Sequence, residues 1–136
     1  MKIDIRIITS AREHELVKLY KDAGWWEKQY DENQDFLKAL VPNSACFVGA
    51  FHKNSMVGMG RALSDLTSDA YIQDVTVLKP FRGKGIGSKI VKELIAFLKQ
   101  YHVDWIGLIA KHNTSLFYVK LGFETLNDHV PLKFKG

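Results

Sequence analysis

Residues 70–88 read Ala70-Tyr71-Ile72-Gln73-Asp74-Val75-Thr76-Val77-Leu78-Lys79-Pro80-Phe81-Arg82-Gly83-Lys84-Gly85-Ile86-Gly87-Ser88. The first nine are rich in β-branched and aromatic residues and stop at Lys79-Pro80, which predicts a long central strand. From Ile86 to about Gln100 the apolar residues Ile86, Ile90, Val91, Leu94, Ile95 and Leu98 recur at three- and four-residue spacing. That spacing predicts an amphipathic helix with Lys89, Lys92 and Glu93 on its charged face. Between strand and helix, Gly83, Gly85 and Gly87 stand at alternate positions. Without Cβ atoms the backbone there can turn successive N–H groups toward one anion, and the helix start adds its dipole and unpaired N–H groups. Arg82 and Lys84 add full charges. A diphosphate is the expected occupant; the alternative is a glycine-rich turn that only connects the two elements.

Working outward, Trp105 to Ala110 reads as the next strand, so residues 70–110 form a strand-helix-strand unit whose strands should be parallel. Upstream, Ala45–Phe51 and Met56–Leu63 are β-rich runs separated by the polar His52-Lys53-Asn54-Ser55, which predicts an antiparallel hairpin. Residues 3–8 read as a first strand. Thr9 or Ser10 is placed to cap a helix over 11–23 ending at Gly24, and a short helix starts at Asp31 or Asn33 and stops at Val41-Pro42-Asn43. Downstream, Thr114 or Ser115 opens a short helix that Gly122 ends, and a last strand is expected near 130–134. The order predicts an α/β fold, a mixed sheet with antiparallel N-terminal strands, a parallel strand-helix-strand unit and helices on both faces. Residues 1–136 fit a single domain, with no internal repeat or linker.

Composition narrows the function classes. With 46% hydrophobic and 25% charged residues the chain reads as soluble and globular, and neither a signal peptide nor a membrane span is expected, which makes the cytoplasm the default. Cys46 is the only cysteine and lies in an apolar run, so no internal disulfide forms. The five histidines are scattered without metal-ligand spacing, and no metal is expected. The net charge of +4 favours anionic partners. Lys and Arg are interspersed with acids and no recognition motif accompanies them, so nucleic acid is not expected. The glycine spacing fits neither a Walker A loop nor the dinucleotide fingerprint.

Val75-x-Val77-x-x-Pro80-x-Arg82-Gly83-Lys84-Gly85-Ile86-Gly87 resembles the acetyl-CoA signature of the GNAT superfamily of N-acetyltransferases. A second segment, Phe117-Tyr118-Val119-Lys120-Leu121-Gly122-Phe123, resembles that family's C-terminal motif. The resemblance implies a GNAT-like fold and an enzyme that moves an acetyl group from acetyl-CoA to a primary amine by direct attack in a ternary complex. A CoA-binding sensor or partner module that has lost turnover is the alternative. The backbone of Val75, Thr76 and Val77 would bind the pantetheine arm where the central strand splays from its neighbour. Arg82, Gly83, Lys84, Gly85, Ile86, Gly87 and Ser88 would hold the pyrophosphate. Tyr118 would protonate the leaving sulfur, a role suited to a phenol because its ordinary pKa is near that of a thiol. Dimers are frequent in the family, which leaves a homodimer open.

Three assignments keep two readings each. The base is Asp74 or a water chain; strand alternation puts Gln73 and Asp74 on opposite faces, so only one should face the cleft. Asn113 contacts the cofactor or caps the following helix, and His112 shares that ambiguity. Trp25, Trp26 and Tyr30 line an acceptor pocket for a small-molecule or peptide amine, or pack as ordinary core and loop aromatics. Asp31, Glu32 and Asp35 nearby could draw in a cationic acceptor.

Overall fold

The computed structural model describes all of residues 1–136. Five strands form one sheet in chain order: β1 (Asp4–Ile7), β2 (Cys46–His52), β3 (Ser55–Ser64), β4 (Asp69–Val77) and β5 (Trp105–Gly107). The first four pair antiparallel, and β4 pairs with β5 in parallel. The hairpin between β2 and β3 is tighter than its polar spacer suggests. His52 and Ser55 pair with each other, and only Lys53 and Asn54 turn, at φ 49° and 67°. Two successive left-handed residues match the twist of the flanking strands.

Four helices flank the sheet: α1 (Glu13–Ala23), α2 (Asp35–Leu40), α3 (Ile86–Gln100) and α4 (Ser115–Val119). On α3 the stripe Ile86, Ile90, Val91, Leu94 and Leu98 is buried against the sheet. Close approach is possible because β3 offers glycine there: a Cβ on Gly60 would stand 2.8 Å from Ile90 and 3.3 Å from Leu94. The next residue, Arg61, points to the opposite face, where its carboxylate partner also meets Tyr20 of α1. α1 and α3 therefore cover opposite faces, as expected of this pattern. Leu16, Leu19 and Tyr20 of α1 are buried, and Glu15, also buried, accepts a 2.7 Å hydrogen bond from the Met56 amide of β3. That bond satisfies both groups at the start of the strand.

Three local expectations are corrected. Thr9 and Ser10 do not cap α1; its N-cap is Arg12, with no side-chain cap. The Ile8 amide still pairs with the Phe47 carbonyl, so the next residues are spent turning the chain. β5 ends at Gly107 rather than Ala110, because the residues after it diverge from β4. No strand forms at 130–134: Val130, Leu132 and Phe134 are 75%, 90% and 88% exposed, with no sheet partner. No helix is long and apolar enough to cross a membrane.

Candidate functional site

The parallel pairing of β4 with β5 covers only Asp69 with Trp105, Ala70 with Ile106 and Tyr71 with Gly107. Beyond Tyr71, β4 runs on to Val77 while the chain after Gly107 leaves it, and a cleft of about 1070 Å³ opens between them. One wall is Tyr71–Val77; the other includes Leu108, Ile109 and Lys111; Phe117 and Tyr118 of α4 also line it. At one end stands the start of α3, with Gly83, Gly85, Ile86, Gly87 and Ser88.

The glycine loop has the local geometry of an anion cradle. Gly83 and Gly85 take φ of 75° and 80°, a left-handed conformation that glycine adopts without penalty, and Gly85 is the N-cap of α3. The first amide bonded back into the helix start is that of Lys89, to the Gly85 carbonyl at 3.2 Å. The N–H groups of Ile86, Gly87 and Ser88 therefore have no intrahelical acceptor, at the positive end of a 15-residue helix. On the far side, α4 packs beside the start of α3: a Cβ on Gly87 would stand in ordinary contact with the Phe117 ring at 3.4 Å.

Residues 8–123 match the family model described as the acetyltransferase (GNAT) family. The chain belongs to that family. An uncharacterised N-acetyltransferase, ycf52, of Pyropia yezoensis is 32% identical over 114 residues, which is 81% of this chain and 63% of the relative. The uncharacterised protein YyaT of Bacillus subtilis is 29% identical over 132 residues, 93% of this chain and 88% of its own. A probable acetyltransferase of unknown function from methicillin-resistant Staphylococcus aureus superposes with a TM-score of 0.84 at 24% identity, over 99% of this chain and all of that one. This GNAT chain thus spans just under two thirds of the length of the ycf52 relatives it matches.

Within this GNAT fold, β4 carries a bulge that decides where the site residues point. Gly58 pairs with Val77 and Met59 with Thr76, but Arg61 pairs with Gln73, so β4 holds one more residue than β3 over this stretch. Asp74 sits in the bulge at φ 56°. The extra residue breaks strand alternation. Gln73 and Asp74, expected on opposite faces, both reach Arg61, whose Nη2 donates to Gln73 Oε1 at 3.2 Å and whose Nε donates to Asp74 Oδ2 at 2.8 Å; both residues line the cleft. Asp74 Oδ2 also accepts the Tyr20 hydroxyl at 3.1 Å, while Oδ1 has no protein partner. Burial, with the Asp74 charge beside it, raises the Tyr20 pKa and keeps the phenol a donor.

Tyr118 is half-buried, with its ring edge-on to Phe117 at 4.9 Å and to Phe123 at 5.8 Å. Burial raises its pKa above the ordinary phenol value, and its hydroxyl has no hydrogen-bond partner in the protein. Asn113 lines the cleft at φ 68° and is not the helix cap, a position taken by Thr114. His112 does not line it.

Arg82 does not simply present its charge to the cleft. Its Nε donates to the Val77 carbonyl at 2.7 Å and its Nη2 to Asp22 Oδ2 at 3.0 Å, the same oxygen that accepts the Lys79 amide at 3.2 Å. Asp22, on the last turn of α1, thereby ties the end of β4 and the loop to the opposite face. Val75, Thr76 and Val77 line the cleft, whereas Lys84 is exposed and does not line it.

Of the three candidate acceptor aromatics, Trp25 lines the cleft and meets Tyr20 edge-on at 5.4 Å. Trp26 and Tyr30 lie outside it: the Trp26 indole donates to Asp31 at 2.9 Å, and Tyr30 packs between Trp26 and Phe36. Sequence reading missed Tyr20, Arg61 and Asp22. Signals for two of them existed. Arg61 is a lone charge in the apolar run Met56–Leu63, which demands a buried partner, and Asp22 is an acid at a helix C-terminus, where the dipole disfavours it.

Proposed function

We propose that the cleft between β4 and β5 binds acetyl-CoA and that this chain transfers the acetyl group to a primary amine by direct attack in a ternary complex. One arrangement carries the reading: the free N–H groups of Ile86, Gly87 and Ser88 stand in the same cleft as an unpaired, protonated phenol, Tyr118. The amides at the start of α3 suit a pyrophosphate, with Gly83 and Gly85 leaving room and Arg82 holding the loop in shape. Lys84, exposed and not lining the cleft, would add attraction at longer range. The unpaired edge of β4 from Val75 to Val77 suits an amide-bearing arm, because it offers backbone groups without a strand neighbour. The Asn113 side chain would contact that arm from the opposite wall.

In the transfer itself, the neutral amine nitrogen bonds to the thioester carbonyl carbon. The carbon–sulfur bond breaks, and the sulfur takes a proton from the Tyr118 hydroxyl as it leaves. The proton lost by the amine passes to Asp74 or to a water chain. Asp74 Oδ2 is already engaged by Arg61 and Tyr20, which leaves Oδ1 to orient a water as the immediate acceptor and to attract the cationic amine. Trp25 beside it would give the acceptor an aromatic wall, and Trp26 and Tyr30 would extend that wall outward for a longer acceptor.

The reading is tested by melting the protein with acetyl-CoA. A rise in Tm is expected at millimolar acetyl-CoA and should disappear in Gly85→Trp, whose side chain fills the cradle. Thiol release is then followed over arylalkylamines, polyamines, amino acids and peptides. No Tm shift would overturn the binding, and a shift without turnover on any amine would overturn the transfer.

A further inference from the structure

Away from the start of α3, the cleft is lined by two side chains that are neighbours in the chain, Gln73 and Asp74. In a regular strand they would leave the sheet on opposite faces. The bulge in β4 instead turns both toward Arg61 of β3. They are held side by side on two nitrogens of one guanidinium, Gln73 Oε1 at 3.2 Å and Asp74 Oδ2 at 2.8 Å.

Arg61 also fixes which atoms are left over. A guanidinium only donates, so the Gln73 amide presents its oxygen to Arg61 and turns its NH2 elsewhere. That NH2 has no partner in the protein, and since no buried side-chain nitrogen or oxygen lacks one, it is open to solvent. Asp74 Oδ2 is engaged by Arg61 and Tyr20, which leaves Oδ1. The cleft therefore presents one oriented acceptor, Asp74 Oδ1, beside one oriented neutral donor, Gln73 Nε2. The cations that line the cleft stand elsewhere. Arg82 is in the glycine loop, and Lys111 lies past the end of β5, which runs parallel to β4 and so ends on the side where α3 starts.

A simple alkylamine or a polyamine would satisfy Asp74 Oδ1 but strip water from the Gln73 NH2 without replacing it, and a site with an unpaired polar group discriminates against such a ligand. A molecule with a neutral carbonyl next to its amine-bearing carbon satisfies both groups. We infer that the acceptor is an α-amino amide, its amine on Asp74 Oδ1 and its carbonyl oxygen accepting from Gln73 Nε2, which makes Gln73 a specificity-determining residue. The inference rests on the proposed acetyl transfer and names its acceptor. Tyr20 touches both Asp74, at 3.1 Å, and the ring of Trp25, at 5.4 Å, so an apolar side chain on the α-carbon would meet the Trp25 wall. An amino-acid amide and the N-terminal residue of a peptide share this chemistry.

Phenylalaninamide and phenethylamine have the same ring and amine and differ by the carboxamide. Their affinities are measured by calorimetry with CoA present, and the ratio is compared between proteins, so that the basicity of each amine cancels. The preference for phenylalaninamide should fall about five- to tenfold in Gln73→Met, the scale of one net hydrogen bond. It should fall at least as far in Gln73→Glu, which keeps an oxygen for Arg61 but puts an acceptor where the donor stood. A merely structural role for Gln73 would shift both ligands alike, and an unchanged ratio in either variant overturns the inference. Phenylalanylglycinamide carries the same group at a peptide N-terminus. A Gln73-dependent preference for either compound over phenethylamine supports the inference, the tighter one naming the source, and dependence for neither overturns it. Turnover on amines with no such preference overturns this inference alone, whereas the preference without turnover on any amine overturns the transfer alone.

Discussion

Arg61 Nε stands 2.8 Å from Asp74 Oδ2, and the pair is formed across a bulge that holds Asp74 at φ 56°. The bulge makes the pair: without the extra residue in β4, Asp74 would face away from Arg61. Asn and Asp tolerate this left-handed conformation, whereas a β-branched side chain does not.

Asp74→Asn and Asp74→Val should therefore separate two effects. Both lose the carboxylate and should slow turnover. Asp74→Val also meets backbone strain, and should be less stable than Asp74→Asn by about 1–3 kcal/mol in urea unfolding. Equal stabilities would show that the bulge relaxes.

Asp22 sits where simple charge arguments mislead. Removing an acid beside an anion site should tighten binding by electrostatics alone. Yet Asp22 Oδ2 holds both the Lys79 amide and the Arg82 guanidinium, and so fixes the loop. Asp22→Ala is expected to weaken acetyl-CoA binding several-fold by calorimetry. Unchanged or tighter binding would show that the anchor does not matter.

Tyr118→Phe should lower kcat about 100-fold or more, the scale of a lost general acid, while leaving the KM for acetyl-CoA nearly unchanged. Its hydroxyl has no protein partner, so the melting temperature should barely move. Since burial raises its pKa above the ordinary phenol value, the phenol stays protonated through neutral pH, and any alkaline fall in kcat from this group should come at a higher pH than for a free phenol. A loss of cofactor binding in Tyr118→Phe would move the residue from acid to binding group.

The single cysteine predicts a stability change with pH. Burial, with a smaller contribution from the Glu93 charge, pushes the Cys46 thiol from 9.0 up to about 11. A raised pKa means that folding disfavours the thiolate. The contribution is therefore fully present below pH 9 and is lost as pH climbs toward 11. Cys46→Ala should flatten that part of the stability profile, measured by urea unfolding from pH 8 to 11. An unchanged slope would place the loss elsewhere, with the Tyr20 phenol, also raised by burial, the next group to examine.

Much of the site was legible because its chemistry is local. Gly83, Gly85 and the start of α3 are neighbours in the chain, and backbone freedom followed by a helix start can be read from a few residues. Tyr118 was legible through the motif around it. Asn113 was readable only as two alternatives, and the helix-cap one is excluded by Thr114 at the helix start. Trp25, Trp26 and Tyr30 read as one aromatic group, because composition says nothing about which ring turns inward; only Trp25 lines the cleft.

By itself the sequence determined the element order as far as α4, the apolar faces of α1 and α3, and the glycine cradle, since each depends on period and local backbone preference. Tertiary structure decided the rest. The bulge in β4 depends on pairing with β3 and overturned the alternation that put Gln73 and Asp74 on opposite faces. The Asp22–Arg82 and Tyr20–Asp74–Arg61 contacts join residues far apart in the chain, so no local pattern encodes them. The expected strand at 130–134 carries the right alternation and still does not form. A strand requires a neighbour to bond with, and residues 130–134 pair with none.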